Sequence, residues 1–429
     1  MCKTSDHVIV TEYVSLIGGS VDRGQVCCDG GKISAVTTPG CWGPMITPRI
    51  YGGHEVTRPV YIEGAEPGDS LAIFIEKVDV VSAACSSGTG RPNAGRFDSD
   101  PSVKAICPHC GIVHPETHLE GYGEDAIRCD KCGNPIMPQT YQNGYTVACS
   151  REDQMAVAVA PEGARMIAEM TGKGEIFLPE NSKQHLATII GRADFHGLPI
   201  RYAPMVGNIG CVPAVSIPSS KNTGDFSGSL SKTDLFTAPA PEEITDAHMD
   251  INLVGQGCVV IAPVQVEGAG FYMGDVHLTQ GCGEIAGHTL DVCAEVTVRV
   301  QVLKGMKLDG PVLLPVSEEL NSRFRPFTDE EYAKAEKLYR QYAGEKLPRY
   351  YPIQVVGTGS GMNAAFDNAL QRTARLTGLS VDEIKNRCTV GGEIGIGRTS
   401  GCIYLTVMLE TEILEKAGLL QLAADHYSK

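Results

Sequence analysis

The sequence predicts an α+β fold in which strands dominate and helices gather near the C-terminus. Residues 290–305 alternate apolar and polar side chains, which is typical of a long half-buried strand. Residues 60–80 contain two shorter alternating runs around a Pro-Gly-Asp turn. Residues 327–346 and 361–380 instead carry helix formers, and they lie in the last quarter of the chain.

The first half of the chain reads as strands joined by turns. Residues 145–166 predict a strand that leads into a short helix, and residues 198–214 a loop that leads into a strand. The Gly-, Ser- and Pro-rich residues 86–102 predict a domain boundary or a mobile loop at an active site. Residues 216–234 are rich in Ser, Gly and Asp and predict a polar loop.

The second half begins with a predicted strand, glycine turn and strand over residues 258–278. Thr328 and Glu331 form a capping-box pattern at the start of the first late helix, and a third helix is expected to begin at Ser380. Residues 401–418 predict a strand and a short helix. We therefore expect three regions, namely a β-rich region at 1–105, a zinc-ribbon insertion at 106–140 and a β-rich catalytic region with C-terminal helices at 141–429.

Composition excludes several classes of function. The chain has 429 residues, of which 42% are hydrophobic and 20% charged, as expected of a globular protein with two or three domains or one large fold with insertions. A formal net charge of −15 argues against nucleic-acid binding. The N-terminus does not resemble a signal peptide, and no apolar run approaches the roughly 20 residues that cross a bilayer. These features predict a cytoplasmic protein without a membrane partner, whose isolated cysteines are small core residues.

The most specific motif is a cysteine module. Cys107 and Cys110 form one C-x2-C pair, and Cys129 and Cys132 form a second pair eighteen residues later. Four thiolates with this spacing can close a tetrahedral zinc site. Because such a site has no open position, the zinc would be structural. A redox dithiol pair or chance spacing are the alternatives, and the histidines within the module are expected to be surface residues.

A second constellation combines two pairs of possible ligands. His248 and Asp250 are two residues apart, as are Asp275 and His277, and positions i and i+2 of a strand face the same side. The two pairs could converge on one divalent metal, and Glu284 could then take a proton from water activated by that metal. Alternatively, the aspartates could bind turn amides and the histidines could be held by ordinary hydrogen bonds.

Other catalytic patterns have less support. The sequence around residues 359–362 is not a Gly-x-Ser-x-Gly elbow, and no phosphate-binding or dinucleotide fingerprint occurs. Cys282 lies inside the loop "GDVHLTQGCGE" and could act as a nucleophile if His277 or the metal lowered its pKa. The glycines of this loop also suggest that its backbone amides form an oxyanion hole.

Several ordered segments resemble the acetamidase/formamidase family. They are "GGHEVTRPVYIEGAEPGDSLAI", "PMVGNIGCVPA", "HMDINLVGQGCVVIAPVQVEGAGFYMGDVHLTQGCGE" and "VVGTGSGMNAAFDNALQRTARLTGLS". The third segment is the most similar, because it keeps the spacing of the family's Gly-Asp-x-His-x-x-Gln-Gly-Asp-Gly-Glu pattern. The resemblance covers roughly residues 50–85 and 195–410.

The resemblance implies a β-rich fold, a homo-oligomer, and hydrolysis of a small linear amide to a carboxylate and ammonia. It also implies a metal near Asp250, Asp275, His277 and Glu284, with Gln280 orienting the substrate or a ligand. His54 matches an early histidine of the family and is a further candidate ligand. The expected function is therefore a metal-dependent amide hydrolase with a small amide substrate.

Three departures from the family pattern keep alternatives open. His248 stands where the family has Asn, which adds a possible ligand. Cys282 stands where the family has Asp, and its softer sulfur would favour zinc as the second, catalytic metal. The cysteine module lies outside the pattern. The chain could instead act on another C–N or C–S bond with Cys282 as nucleophile, or serve as a zinc-binding assembly protein without catalysis.

Overall fold

The structure is a computed structural model that describes residues 4–40, 54–92, 97–98, 100–123, 125–136, 139–141, 143–175, 179–184, 191, 195–227, 240, 243–343, 346–399 and 401–428. It confirms a β-rich α+β fold with a few helices. Its strands are β1 Ser5–Val10, β2 Tyr13–Val14, β3 Leu16–Ile17, β4 Val26–Val36, β5 Val56–Thr57, β6 Tyr61–Ile62, β7 Ser70–Val80, β8 Ala84–Ser86, β9 Gly90–Pro92, β10 Phe97–Asp98, β11 Asp100–Ala105, β12 Thr117–Leu119, β13 Ile127–Cys129, β14 Gln139–Tyr141, β15 Tyr145–Ser150, β16 Met155–Ala158, β17 Pro199–Arg201, β18 Met205–Cys211, β19 Ile217–Pro218, β20 Val259–Pro263, β21 Phe271–His277, β22 Ala294–Leu303, β23 Val312–Leu314, β24 Tyr350–Thr358, β25 Gly392–Arg398 and β26 Cys402–Glu410.

The helices follow the predicted distribution, with most of them late in the chain. They are α1 Pro161–Gly172, α2 Thr223–Ser227, α3 Asp329–Ala343, α4 Met362–Thr377, α5 Val381–Gly391, α6 Thr411–Lys416 and α7 Leu420–Tyr427. The predicted capping box at Thr328 is confirmed, since Thr328 N and Oγ1 donate to Glu331 Oε2 at 2.8 and 2.9 Å. The Ser380 side chain caps α5 by accepting a bond from Glu383 N. No helix of the described residues is both long and apolar enough to span a membrane.

The largest sheet has ten strands and joins distant parts of the chain. Its order is β1-β4-β22-β7-β20-β23-β24-β26-β25, and β6 pairs with β4 outside this path. The long predicted strand is confirmed as β22, which runs antiparallel to β7 from Ala294 opposite Val80 to Leu303 opposite Ser70. Strands from residues 1–105 and 141–429 therefore pair side by side, while the division of the chain into domains stays a prediction.

The main core lies between this sheet and a smaller one. On β22 the alternating residues Val296, Val298 and Val300 are fully buried, as their period of two predicts. They belong to the same apolar cluster as Ile209 of β18 and Met273 of β21. Full burial of one such side chain stabilises the fold by about 1.5–3 kcal/mol. This core fixes the smaller sheet, of order β18-β21-β5-β2, which carries the candidate active site.

Two predicted loops are more ordered than their composition suggests. The predicted polar loop at 216–234 contains β19 and α2, and its polar residues Ser219, Ser220 and Asn222 are buried. The segment 86–102 contains the end of β8, all of β9 and β10, and the start of β11. Its role as a boundary or as a loop at an active site stays a prediction. Residues 93–96, 99 and 228–234 lie outside the described residues. In the described part of 216–234, buried polar groups are paired within the fold, since Ser219 Oγ donates to His54 O at 2.6 Å and Asn222 Nδ2 donates to His248 O at 2.8 Å.

Candidate active site

The four cysteines of the module come together in one cluster. Cys107 Sγ lies 3.7 Å from Cys132 Sγ, and Cys110 Sγ lies 3.9 Å from Cys129 Sγ. Four thiolates around one tetrahedral zinc at 2.3 Å would be about 3.8 Å apart. These distances exclude a disulfide, whose sulfurs are about 2.05 Å apart, and they fit a zinc ion.

Two similar turns build this cluster. In each turn the glycine after the second cysteine donates its amide to the first cysteine's carbonyl, from Gly111 to Cys107 at 2.9 Å and from Gly133 to Cys129 at 2.8 Å. Both glycines have positive φ angles, of 71° and 69°. The hairpin β12–β13 connects the turns. His118 is exposed and pairs with Asp130 at 2.7 Å, which agrees with its prediction as a surface residue.

The second constellation is a buried cluster of carboxylates and imidazoles, which we call the acidic cluster (His54, His248, Asp250, Asp275, His277 and Asp291). Asp275 lies at its centre. Its Oδ1 is 3.3 Å from His277 Nε2, and its Oδ2 is 3.1 Å from His248 Nε2 and 3.3 Å from His54 Nε2. The two strand positions Asp275 and His277 thus face the same site, as their spacing predicts.

His248 and Asp250 reach the cluster from the opposite side of β18. They lie outside any named strand, but His248 forms an isolated bridge with Asn208 of β18. Its Nε2 lies 3.0 Å from Asp250 Oδ2. Gly207 provides the space between the two pairs, because a Cβ atom there would lie 2.3 Å from Asp250 Oδ1 and 2.9 Å from Asp275 Oδ2. A tertiary bridge, and not strand alternation, therefore brings these two residues together.

Hydrogen bonds fix which ring nitrogens face the cluster. His248 Nδ1 lies 2.6 Å from the carbonyl oxygen of Ser220, so Nδ1 carries the proton that it donates. His277 Nδ1 lies 2.8 Å from Gln280 Oε1, and Gln280 Nε2 donates to Asp250 O at 2.5 Å. Both Nε2 atoms are left to bind a cation, as in histidine ligands held by a second partner. Gln280 therefore orients a candidate ligand, in agreement with the role that the resemblance implied.

Three cluster and loop residues adopt a backbone conformation that is rare outside glycine. Asp250, Asp275 and Glu284 have φ angles of 48°, 57° and 40°. Non-glycine residues in this left-handed region cost of order 1–3 kcal/mol each and concentrate at functional sites. Asp275 lies in β21, whereas Asp250 and Glu284 lie outside the named strands, and both aspartates face the acidic cluster.

Glu284 is buried in the glycine loop beside the acidic cluster. Burial is the largest cause that raises the pKa of its carboxyl to about 8, and the charges of Asp250 and Asp275 raise it further against the opposing charges of His277 and Arg398. A carboxyl with a pKa near neutrality can both accept and donate a proton. This is the electrostatic property that the predicted proton-transfer role requires.

Cys282 lies at the exposed edge of the same loop. Its Sγ accepts a bond from Ile396 N at 3.2 Å and donates to Ile396 O at 3.4 Å. Gly283 N also donates to Ile396 O, at 2.8 Å, and Glu284 N to Gly281 O. Through these two hydrogen bonds the thiol of Cys282 anchors the loop to β25. The amides of Gly283 and Glu284 already have partners, so an oxyanion hole in this loop would have to use other amides, and it stays a prediction.

The charged groups of the acidic cluster shift one another's pKa values. Burial alone would raise the pKa of Asp275, but His54, His277 and His248 hold it well below its usual range. Burial would lower the pKa of His248, but Asp250 and the hydrogen bonds to Asp250 and Asp275 raise it to about 9, against the charge of Arg398. Asp275 raises the pKa of His277 well above its ordinary value, although burial opposes this. The carboxylates thus attract positive charge into a buried site.

Sequence reasoning missed several residues that complete the site. Asp291 Oδ1 lies 3.5 Å from His277 Nε2, and Asp291 marks the start of the strand that was predicted at 290–305. Arg398 Nε lies 3.4 Å from Asp250 Oδ2, and its Nη2 donates to Asp225 at 2.9 Å. A buried charged residue at the end of an apolar strand was the available signal for Asp291. No local sequence pattern identifies Arg398 or Asp225, because the role of each depends on contacts with residues that are distant in sequence.

The sequence model of one protein family, described as the acetamidase/formamidase family, matches residues 30–244 and 227–394. The chain belongs to the acetamidase/formamidase family. The residues of the acidic cluster lie within these matched ranges. The resemblance that was inferred from ordered motifs is therefore confirmed.

Two relatives carry names that state an activity. The chain is 23% identical over 311 residues to a protein of Schizosaccharomyces pombe assigned as a formamidase, covering 67% of this chain and 65% of that protein. It is 24% identical over 273 residues to an acetamidase of Mycolicibacterium smegmatis, covering 61% of this chain and 57% of that protein. The matches thus span somewhat less than two thirds of these relatives' lengths.

Solved structures of the family share the fold. One from Thermoanaerobacter tengcongensis, described as a predicted acetamidase/formamidase, superposes with a TM-score of 0.54 at 17% identity, covering 96% of this chain and 98% of that one. An acetamidase from Bacillus halodurans gives a TM-score of 0.51 at 16% identity, covering 96% and 99%. At these identities the likeness establishes the fold alone.

Proposed function

We propose that this protein is a metal-dependent hydrolase of small linear amides, which converts an amide and water into a carboxylate and ammonia. The observation that carries this proposal is the buried acidic cluster with Glu284 beside it. Family membership supports the reaction class. The chemistry of the residues supports the mechanism.

The donor set of the acidic cluster fits a divalent ion. Ligand atoms of Asp250, Asp275 and His277 all lie within 4.8 Å of one another. Asp250 Oδ1 is buried and has no hydrogen-bond partner among the described residues, which would be costly unless a cation or water meets it. Carboxylate oxygens and imidazole nitrogens are common ligands of zinc. A divalent ion bound there would polarise the amide carbonyl and lower the pKa of water.

Glu284 supplies the proton transfers. As a carboxylate it takes a proton from the attacking water, while the new C–O bond forms at the amide carbon. It then gives that proton to the nitrogen, so that the C–N bond breaks and ammonia leaves. A pKa of about 8 places both protonation states within reach near neutral pH.

Hydrogen bonds of His277 and Gln280 hold the candidate metal ligands in place. Gln280 accepts from His277 Nδ1 and donates to the backbone of Asp250, so it links the two halves of the cluster. Arg398, held by Asp225, balances the charge of Asp250. These contacts position the candidate ligands. They do not involve Cys282, whose sulfur is hydrogen-bonded to the backbone of Ile396.

The test is ammonia release from formamide, acetamide and propionamide by the purified protein, before and after removal of metal with a chelator. Turnover that is lost on chelation and restored by added zinc is the expected result. The variant Asp275→Asn should be inactive, since it removes the central charge of the cluster. An active chelated protein, or no reaction with any linear amide, would overturn the proposal.

We also propose that the four-cysteine cluster holds a structural zinc ion. The sulfur spacing and the two matching turns support it, and four sulfurs leave no position for substrate. A cytoplasmic location and a homo-oligomer remain proposals as well. Sedimentation analysis of the zinc-loaded protein tests the oligomer, and a monomer at working concentrations would contradict it.

One observation favours a second candidate function. Cys282 stands in the loop that carries Glu284, and it is exposed. If it were a nucleophile for another C–N or C–S bond, a covalent adduct should form on it during turnover. Intact-mass measurement with a slow substrate distinguishes the two functions, because the hydrolase proposed above forms no adduct at Cys282.

A further inference from the structure

The two oxygens of Asp275 face two different sets of ligands. Oδ2 lies 3.1 Å from His248 Nε2 and 3.3 Å from His54 Nε2. Oδ1 lies 3.3 Å from His277 Nε2, which is itself 3.5 Å from Asp291 Oδ1. Ligand atoms of His54, His248 and Asp275 lie within 4.8 Å of one another, and so do those of Asp250, Asp275 and His277. The carboxylate thus belongs to two three-residue groups at once.

From this arrangement we propose that the acidic cluster binds two divalent ions bridged by the carboxylate of Asp275. His54 and His248 would hold one ion, and Asp250 and His277 the other. This inference rests on the proposed function and makes its metal centre more specific. In two-metal hydrolytic sites the ions lie roughly 3.5–4 Å apart and act on both the attacking and the leaving groups.

The contacts of His54 are those expected of a metal ligand. It is buried, and neither ring nitrogen has a hydrogen-bond partner among the described residues, although Nε2 lies 3.3 Å from Asp275 Oδ2. An imidazole and a carboxylate that only paired with each other would align as donor and acceptor. Atoms about 3.3 Å apart without that alignment fit two neighbouring ligands of one tetrahedral ion, whose bonds are about 2.0–2.1 Å long.

Two glycines keep space on both sides of the bridging carboxylate. A Cβ atom at Gly40 would lie 2.2 Å from Asp275 Oδ1 and 2.5 Å from Asp291 Oδ1. A Cβ atom at Gly207 would lie 2.9 Å from Asp275 Oδ2. The absence of side chains at these positions lets carboxylates approach each other from both flanks. Such crowding of like charges in the interior is expected only where cations lie between them.

Charge also favours two ions over one. Asp250, Asp275 and Asp291 are each at most 3% exposed. When the histidines are neutral ligands, three carboxylates exceed the charge of one divalent ion but not that of two. Arg398 lies near Asp250 but is itself paired with Asp225, so the two together add no net charge to the cluster. The Glu284 carboxylate that the proposed mechanism needs adds a fourth negative charge, and two divalent ions balance all four.

The first experiment counts ions. The zinc-loaded full chain should hold about three zinc ions by elemental analysis, one in the cysteine cluster and two in the acidic cluster. The double variant Cys110→Ser/Cys132→Ser should hold about two. Adding His54→Gln to it should leave about one, whereas the exposed control His7→Gln should leave the content unchanged. A cysteine variant with a single ion that His54→Gln does not remove would overturn the proposal.

The second experiment detects the bridge without using activity. The cysteine double variant, reconstituted with Mn²⁺, should give the electron paramagnetic resonance signal of a coupled ion pair. His54→Gln should convert this into the signal of an isolated ion. An isolated-ion signal before that substitution would contradict a shared Asp275 ligand. Circular dichroism of each variant checks that it is folded. The backbone at position 54 should stay in place in His54→Gln, because Ser219 Oγ donates a hydrogen bond to the carbonyl oxygen of residue 54 at 2.6 Å, and this bond does not involve the side chain of residue 54.

These results separate the inference from the proposed function. Coupled ions without amide turnover would support the two-ion centre and overturn the amidase proposal. Amide turnover with one ion in the acidic cluster would support the amidase proposal and overturn the two-ion centre.

Discussion

The cysteine cluster and the acidic cluster are both candidate metal sites, but they are built in opposite ways. The cysteine cluster is local, because four identical ligands come from two matching turns within residues 107–132. The acidic cluster draws unlike ligands from His54, the segment at 248–250, β21 and Asp291, which are far apart in sequence. A local site can fold around its own ion. A distributed site depends on the sheets that carry it.

This difference has a chemical counterpart. Four sulfurs saturate a tetrahedral ion, whereas mixed oxygen and nitrogen ligands can leave positions for water and substrate. The acidic cluster also carries strained backbone at Asp250, Asp275 and Glu284, while the cysteine turns place glycine where φ is positive. Among the described residues of 107–132 the non-glycine residue with a positive φ angle is His114, at 45°, and it is not one of the four sulfur ligands.

The largest effect is expected from Cys110→Ser combined with Cys132→Ser. Binding of a structural zinc ion contributes on the order of 10 kcal/mol to folding of such modules, so residues 107–132 should become sensitive to proteases. Limited proteolysis with mass mapping measures this. The acidic cluster should keep its metal, and kcat should change by less than about tenfold, because the cysteine cluster supplies no ligand to the acidic cluster. Loss of metal from both clusters would show that they are not independent.

The next effect is expected from Glu284→Gln, which keeps the shape of the side chain but cannot accept a proton. We expect kcat for a small amide to fall by about 10²–10⁴-fold with metal content unchanged. Steady-state kinetics and elemental analysis measure the two quantities. The exposed Glu319→Gln serves as the matched control. Full turnover by Glu284→Gln would remove this residue from the mechanism.

Gly207→Ala should disturb only the distributed site. The added Cβ would lie 2.3 Å from Asp250 Oδ1, so the ligands must move apart at a cost of about 1–3 kcal/mol. We expect weaker zinc binding in the acidic cluster and an unchanged cysteine cluster, as measured by competition with a chelating dye. Gly361→Ala, whose Cβ would meet nothing within 4 Å, is the control. Equal zinc affinity in the two variants would contradict the role given to Gly207.

A smaller effect concerns pH and the ion pair between Asp225 and Arg398. Burial would raise the pKa of Asp225, but Arg398, Lys221 and His248 hold it at about 2. Because the unfolded pKa is about 4, the pair stabilises the fold above pH 4, and this contribution is lost as pH falls towards 2. Urea unfolding should show wild type about 2 kcal/mol more stable than Asp225→Asn at pH 6, with the gap narrowing below pH 4. A gap that widens in acid would reverse the assigned sign.

The smallest effect is expected from Cys282→Ser. The hydroxyl can keep the bonds to Ile396 that hold the loop, so kcat should fall by less than about tenfold. A nucleophile would instead lose at least about 10³-fold. Steady-state kinetics of Cys282→Ser and Glu284→Gln therefore show which of these two residues takes part in the reaction.

Several elements could be predicted because their signals are local. The alternation of β22, the capping box of α3, and the spacing of the four cysteines each depend on residues a few positions apart. The pairs Asp275–His277 and His248–Asp250 were found by spacing and by resemblance. His248 and Asp250 lie outside the named strands, and a bridge from His248 to Asn208 places this pair beside β18, which the spacing alone could not specify.

Short-range periodicity, turn chemistry and ordered motifs suffice to predict the β-rich class, the cysteine cluster and the family to which the chain belongs. The folded structure was needed to show that Asp275 faces two ligand sets, that Asp291 and Arg398 lie in the site, and that the thiol of Cys282 anchors a loop. The physical reason is that each of these roles is a relation between residues distant in sequence. Such relations are set by the register and packing of whole sheets, which no local pattern encodes.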